Sequence, residues 1–135
     1  MYEFHCWAVL KYHPHDTDLG RQDACIKLCA EYLKRHISLT TNNYKLVTHN
    51  GISTFLLSGQ HNHFADYILE IFNWLGQHAP GSYGLLYISD DEDETASNFF
   101  KVYIMRKGQV TQQADSFFSP KMPLIEDPYD ATHND

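Results

Sequence analysis

Residues 2–12, YEFHCWAVLKY, alternate between two sets of side chains. Neighbouring side chains of a strand point to opposite faces of its sheet, so this period of two predicts a β-strand. The even positions are mostly apolar and form the predicted buried face: Tyr2, Phe4, Cys6, Ala8, Leu10 and Tyr12. Trp7 and Val9 are then expected on the opposite face, away from the core.

A helix is predicted to follow this strand. Pro14 ends the alternation, residues 16–18 offer side chains that can cap a helix, and residues 19–37 repeat apolar side chains at helical spacing. Cys25 and Cys29 fall on the inner stripe of this helix, where small apolar side chains pack well.

Residues 44–59 predict a β-hairpin. Two short apolar runs flank Asn50-Gly51, and this pair favours a tight turn because both residues tolerate positive φ.

A second amphipathic helix is predicted within residues 62–81. Its apolar stripe starts at Phe64, and Gly76 and Pro80 are the expected stop signals. The strand patterns at 83–89 and 98–108 then predict a second hairpin with an acidic loop between its strands.

The elements follow the order β-α-β-β-α-β-β in a single domain, residues 1–135. This order predicts an α+β fold, a ferredoxin-like two-layer sandwich in which both helices cover one face of a mainly antiparallel sheet. Residues 1–115 form the predicted folded core. Residues 116–135 contain three prolines and no clear period. We therefore expect an irregular tail whose first residues pack on the core and whose last residues are frayed.

Composition narrows the class of partner. The chain has 17 acidic and 10 basic residues and a formal charge of −7. An acidic surface repels nucleic acid and attracts a basic protein, although the charge could also serve solubility alone. The absence of a long apolar run argues against a membrane segment, and three cysteines with no signal-peptide pattern favour a reduced, cytoplasmic protein.

The sequence gives little support for an enzyme, a metal site or a cofactor. The pairs His13/His15 and His61/His63 fall in predicted turns, and no cysteine or carboxylate stands at a matching ligand spacing. Cys6 lies on the predicted buried face, which disfavours a nucleophile. No phosphate-binding glycine motif or nucleophile elbow is present.

The stretch GSYGLLYISDDEDE, residues 81–94, ends in five consecutive acids. It lacks the glycine and the terminal glutamate of a calcium-binding loop. Five adjacent acids repel one another, so we expect them to lie in solvent unless something positive compensates them. Two interpretations stay open: a solvated loop, or a docking surface for a basic partner.

The sheet face opposite the helices is the second candidate surface. Beside Trp7, the last predicted strand must turn one of two sets of side chains to this face: Tyr103 with Phe99 and Met105, or Phe100 with Val102 and Ile104. Exposed Trp and Tyr are typical of interface hot spots, but the C-terminal tail could equally fold back over them.

Four segments carry a resemblance to a known family: YEFHCWAVL, GSYGLLYISDDED, FKVYIMRKGQV and DSFFSPKMPLIEDP. Their marks are Trp7, the step Gly84-Leu85-Leu86, the acids Asp91-Glu92-Asp93 and the turn Ser119-Pro120. In these the chain resembles the immunity protein 7 family of bacterial polymorphic toxin systems. Residues 13–80 carry less of the likeness.

The resemblance implies a non-catalytic antitoxin that binds one cognate toxin domain in a 1:1 complex. It names no toxin, but a basic one, such as a nuclease, would suit the acids. The predicted toxin-binding residues are Trp7, Tyr87, Asp90, Asp91, Glu92, Asp93, Glu94 and Tyr103.

Two rivals remain open. A small-molecule-binding protein or small enzyme could use the open sheet face, with His5, Trp7 and Tyr103 around a ligand, although no acid/base pair is evident. An RNA-binding sheet with stacking aromatics is disfavoured by the net charge.

Overall fold

The computed structural model describes residues 1–16, 18–37 and 44–132, which form an α+β fold with a six-stranded sheet and three helices. In chain order the elements are β1 (Tyr2–Leu10), α1 (Leu19–His36), β2 (Tyr44–His49), β3 (Ile52–His61), α2 (Tyr67–His78), β4 (Tyr83–Asp90), β5 (Lys101–Arg106), β6 (Gln109–Ala114) and α3 (Lys121–Leu124). Among these, no helix is long and apolar enough to cross a membrane.

All neighbouring strands are antiparallel, in the order β2-β3-β1-β4-β5-β6. The α+β class and the antiparallel sheet are therefore confirmed. The ferredoxin-like order is not confirmed for the whole sheet, which continues beyond β4 into β5 and β6. The sequence prediction also missed β6: it ran the last strand to residue 108, whereas β5 ends at Arg106 and a tight turn at Lys107-Gly108, both with positive φ, starts β6.

The core lies between the sheet and helices α1 and α2. The even-numbered side chains of β1 are buried, as the alternation predicts: Tyr2, Phe4, Cys6, Ala8 and Leu10. Helices α1 and α2 contribute fully buried Leu33, Phe72 and Leu75. Burying each of these large side chains stabilises the fold by roughly 1.5–3 kcal/mol.

Helix boundaries follow local chemistry in α1 but depart from the prediction in α2. The Asp18 carboxylate caps α1 by accepting a hydrogen bond from the Arg21 N–H at 3.0 Å. Helix α2 begins only at Tyr67, so Phe64 precedes the helix and is 66% exposed. Phe64 is therefore not part of the buried stripe.

Gly76 is not a stop signal either, because α2 continues through it to His78. A Cβ atom at this position would lie 2.3 Å from the Gly108 carbonyl oxygen. The glycine thus lets α2 approach the turn between β5 and β6 at backbone distance.

The segment after β6 is anchored to the sheet. Asp115 is buried and accepts hydrogen bonds from the N–H groups of Phe117 (2.9 Å) and Phe118 (3.0 Å) and from the Ser119 hydroxyl (2.8 Å). The Phe100 N–H donates to the Ser119 hydroxyl oxygen at 2.8 Å. These bonds hold the start of the predicted tail against β5.

Lys121 fixes the same segment further along. Its side chain is buried, its ammonium donates to the Ser89 hydroxyl at 2.6 Å, and the nitrogen lies 5.8 Å from the centre of the Phe100 ring. Residues 115–121 therefore pack on one end of the sheet face opposite the helices.

Candidate partner-binding surfaces

The sheet face opposite α1 and α2, here called the open face, has an uncovered apolar centre. In the strand register Trp7 lies between Leu56 of β3 and Leu85 of β4. Trp7 and Leu56 are each 41% exposed, and the Trp7 ring meets Tyr83 edge-on at 6.1 Å. Trp7, Leu56 and Leu85 line a shallow depression of about 690 Å³.

Polar groups border this apolar centre. His5 lies two residues before Trp7 on the same face of β1. Its Nε2 contacts the Glu3 carboxylate at 2.6 Å, and its Nδ1 contacts the Ser58 hydroxyl. Lys45 pairs with Leu56 in the register and lines the same depression. An apolar centre with a polar rim is the usual composition of a protein interface.

The tail covers only the other end of the open face. Tyr87, Phe100 and Phe118 form a cluster of edge-on rings, with centroids 5.7–6.5 Å apart. The Tyr87 hydroxyl also donates to Asp115 at 3.4 Å. The sequence left two alternatives, an exposed aromatic face and a face covered by the tail. Each is correct for one part of the face, since Tyr87 lies beside the tail whereas Trp7 stays exposed.

Tyr103 lies on the opposite side of the sheet from Trp7. It pairs with Leu86, which is on the buried, helix-covered face, so Phe100, Val102 and Ile104 are the side chains that turn to the open face. The predicted grouping of Trp7 with Tyr103 is therefore wrong. For the same reason His5, Trp7 and Tyr103 cannot surround one ligand.

Three residues of the acidic segment, Asp90–Glu94, have side-chain partners elsewhere in the chain. Asp93 accepts a hydrogen bond from the Lys101 ammonium at 2.9 Å, Glu92 contacts His63 Nδ1 at 2.7 Å, and Asp91 pairs with the amino group of Met1. Asp91, Glu92 and Glu94 are exposed, as expected for adjacent acids, and half-buried Asp93 is compensated by Lys101. Half-buried Asp90 forms no ion pair in the described residues, which corrects the expectation for this acid.

Two of these carboxylates, Asp91 and Asp93, have lowered pKa values because of their hydrogen-bond donors. Hydrogen bonds from Lys101 and Thr95 lower the pKa of Asp93 to about 2. The hydrogen bond from the Met1 amino group likewise lowers the pKa of Asp91. Asp91 and Asp93 are therefore held in their charged form, as a surface for a basic partner requires.

The histidines and cysteines have local roles. His61 Nε2 contacts the Tyr67 hydroxyl at 2.6 Å, and His13 Nδ1 accepts hydrogen bonds from the N–H groups of His15 and Asp16. Within the described ranges no three His, Cys, Asp or Glu residues come together as a metal site. Cys6, Cys25 and Cys29 are free thiols, and burial raises the pKa of Cys6.

Sequence reasoning missed a second concave surface, the acidic cleft, on the helix side of the sheet. This cleft, of about 480 Å³, lies between α2 and the strands β4 and β5 and includes Asp66, Glu70 and Asp90. The available signal was the spacing of Asp66 and Glu70, four residues apart and hence on one side of a helix. The spacing alone does not locate the cleft, because the sequence does not show which strands α2 packs against.

Comparison with protein families gives one result that covers almost the whole chain. The family model described as Immunity protein 7 matches residues 1–127. No curated protein and no solved structure matches the chain. The matched range includes β1 with Trp7, the acidic segment and the tail contacts described above, and the chain therefore belongs to the Immunity protein 7 family.

Proposed function

We propose that this protein binds a cognate toxin domain and neutralises it by occluding its active site. The observation that carries the proposal is the match of the Immunity protein 7 family model to residues 1–127, which supports an immunity function. The inhibited activity belongs to the toxin, so the immunity protein needs a binding surface and no catalytic group. The proposed site of action is the cytoplasm, as a 1:1 complex.

The apolar centre of the open face is the proposed main contact. Trp7, Leu56 and Tyr83 are all more than 40% exposed, whereas the other face of β1 is buried under α1 and α2. A large aromatic side chain surrounded by apolar neighbours and a polar rim is the arrangement in which interface hot spots occur. A toxin docked here would bury Trp7 without displacing the tail.

The acidic segment has a different proposed part. Exposed Asp91, Glu92 and Glu94 add to the overall charge of −7, and the resulting field attracts a basic toxin over a distance. Such steering raises the association rate and weakens as salt shortens the Debye length, to about 8 Å at physiological strength.

The proposal predicts a toxin domain encoded next to the gene of this protein, and binding to that domain is the test. Trp7→Ala should weaken the complex by about 2 kcal/mol or more, roughly 30-fold, mostly through faster dissociation. Leu28→Ala is the matched control, because Leu28 is 44% exposed but lies on α1, away from the open face. It should change affinity by less than about 0.5 kcal/mol.

Two outcomes would count against the proposal. If the purified protein leaves the activity of that domain unaffected, the neutralising function is wrong. If the protein neutralises the toxin and Trp7→Ala binds as tightly as Leu28→Ala, the function stands and the open face is the wrong surface.

A further inference from the structure

The acidic cleft combines an apolar lining with an excess of negative charge. Its walls include the aromatic rings of Tyr2, Phe64, Phe99 and Tyr103. Its charged residues are Asp66, Glu70, Asp90, Asp93 and Lys101, so four carboxylates face one ammonium group and the lining carries three net negative charges.

Most of this charge is not compensated within the protein. Lys101 is committed to Asp93 at 2.9 Å. Asp66 is at the N-cap of α2, yet its side chain makes no capping hydrogen bond. Neither Asp66 nor Glu70 forms a side-chain hydrogen bond or ion pair in the part of the chain that the structure describes. Two exposed carboxylates at the cleft thus remain available to an incoming cation.

Aromatic rings stand beside these carboxylates. Phe64 is 66% exposed, and its ring meets Tyr2 edge-on at 5.5 Å; Phe99 is 47% exposed. A cation above the face of an aromatic ring is attracted by the negative charge of that face, and most strongly where water is displaced. Exposed rings next to free carboxylates therefore suit a cation that also has an apolar or flat surface.

That chemistry favours an organic cation over a metal ion. Calcium requires six to eight oxygen ligands, whereas no three potential ligands meet within the described residues. A guanidinium group is flat and weakly hydrated, stacks on aromatic rings and binds carboxylates with paired N–H donors. Its aliphatic stem would lie along the apolar wall.

We propose that the acidic cleft receives an arginine side chain of the toxin. This inference rests on the proposed function, because it assigns the cleft to the same partner. The cleft lies on the helix side of the sheet and Trp7 on the open face, so the toxin would contact the two sites with different parts of its surface. The arginine would be a second anchor, separate from the apolar contact.

A short arginine peptide tests the cleft without the toxin. The probe is N-acetyl-Gly-Arg-Gly-amide, and its control carries citrulline, which has nearly the same shape without the charge. In NMR titrations the arginine peptide should shift the amide signals of Ala96, Phe99 and Tyr103 in a saturable way, and the citrulline peptide should not. Absence of these shifts, or equal shifts with both peptides, would overturn the proposal.

Paired variants separate occupancy of the cleft from net charge. Asp66→Asn/Glu70→Gln removes the two available carboxylates, and Asp23→Asn/Glu31→Gln removes two exposed charges from α1. The first pair should lower the affinity for the arginine peptide, and for the toxin domain used in the binding test above, roughly three- to tenfold relative to the control pair. If the toxin is neutralised and both pairs bind it equally, the cleft is not its anchor although the proposed function stands. If the toxin is not neutralised at all, it is the proposed function that fails.

Discussion

The two faces of the sheet differ in what covers them. On one face α1 and α2 bury the even-numbered side chains of β1, including Phe4 and Leu10 at 0% exposure. On the other face the tail covers Tyr87 and Phe100 and leaves Trp7 exposed. Residues of the same strand thus serve stability on one side and are free for a partner on the other. Substitutions on the two faces should separate stability from binding.

The largest loss of stability is expected from the helix-covered face. Phe72→Ala removes a ring that is 1% exposed between α2 and the sheet, and it should lower the free energy of unfolding by about 3–5 kcal/mol because a cavity remains. Urea denaturation measures this value. A loss no greater than that of Trp7→Ala would remove the distinction between the two faces.

A substitution in the contact between α2 and the β5–β6 turn should cost less. Gly76→Ala places a Cβ atom 2.3 Å from the Gly108 carbonyl oxygen, and the backbone must shift to admit it. We expect a loss of about 1–3 kcal/mol. Gln77→Ala, at an exposed position one residue along the same helix, is the control and should be nearly neutral. Equal stabilities of the two variants would contradict the close approach.

The tail-covered part of the open face should show an intermediate effect. Ser119→Ala leaves the Phe100 N–H without its acceptor and removes one donor from Asp115, which should cost about 1–3 kcal/mol. Ser116→Ala, on the exposed part of the same segment, is the control. If the toxin contacts Trp7 and not the tail, Ser119→Ala should leave the affinity for the toxin unchanged under conditions in which the variant is folded. Weaker toxin binding by the folded variant would extend the interface to the tail.

The smallest effect is expected at the acidic segment, and it should depend on pH. The pKa of Asp93 is lowered from 3.8 to about 2, so its contribution to stability is complete above pH 3.8 and is lost as pH falls towards 2. Asp93→Asn should therefore be less stable than the wild type at neutral pH, and the difference should shrink in acid. If the difference in unfolding free energy between the wild type and Asp93→Asn stays constant from neutral pH to pH 2, the ion pair with Lys101 is not its cause.

Period and turn chemistry predicted the parts of the fold that depend on local signals. The alternation of residues 2–12 and the Asn50-Gly51 pair predicted β1 and the β2–β3 hairpin correctly, because each signal is contained in one short segment. Strand β6, QVTQQA, has no such signal: its one large apolar side chain, Val110, is half-buried, and the strand is added by pairing with β5.

The candidate surfaces were less predictable because they depend on register and on distant partners. Two alternatives for the face of Tyr103 differed by one residue of register, and only its pairing with Leu86 decides between them. The acidic segment was visible in the sequence, but its partners Met1, His63 and Lys101 come from three separate parts of the chain. The acidic cleft likewise required α2 to be placed against β4 and β5.

The environment of Trp7 in the toxin complex tests the central claim most directly. The protein has two tryptophans, and Trp74 stacks on Tyr32 at 3.7 Å between α1 and α2, so Trp74→Phe leaves Trp7 as the single reporter. Fluorotryptophan incorporated only into this protein gives one fluorine NMR signal even when the toxin contains tryptophan. We predict that this signal shifts and loses its response to a soluble paramagnetic quencher when the toxin is bound and neutralised. A neutralised toxin in a complex whose Trp7 signal keeps its position and its full response to the quencher would contradict the account.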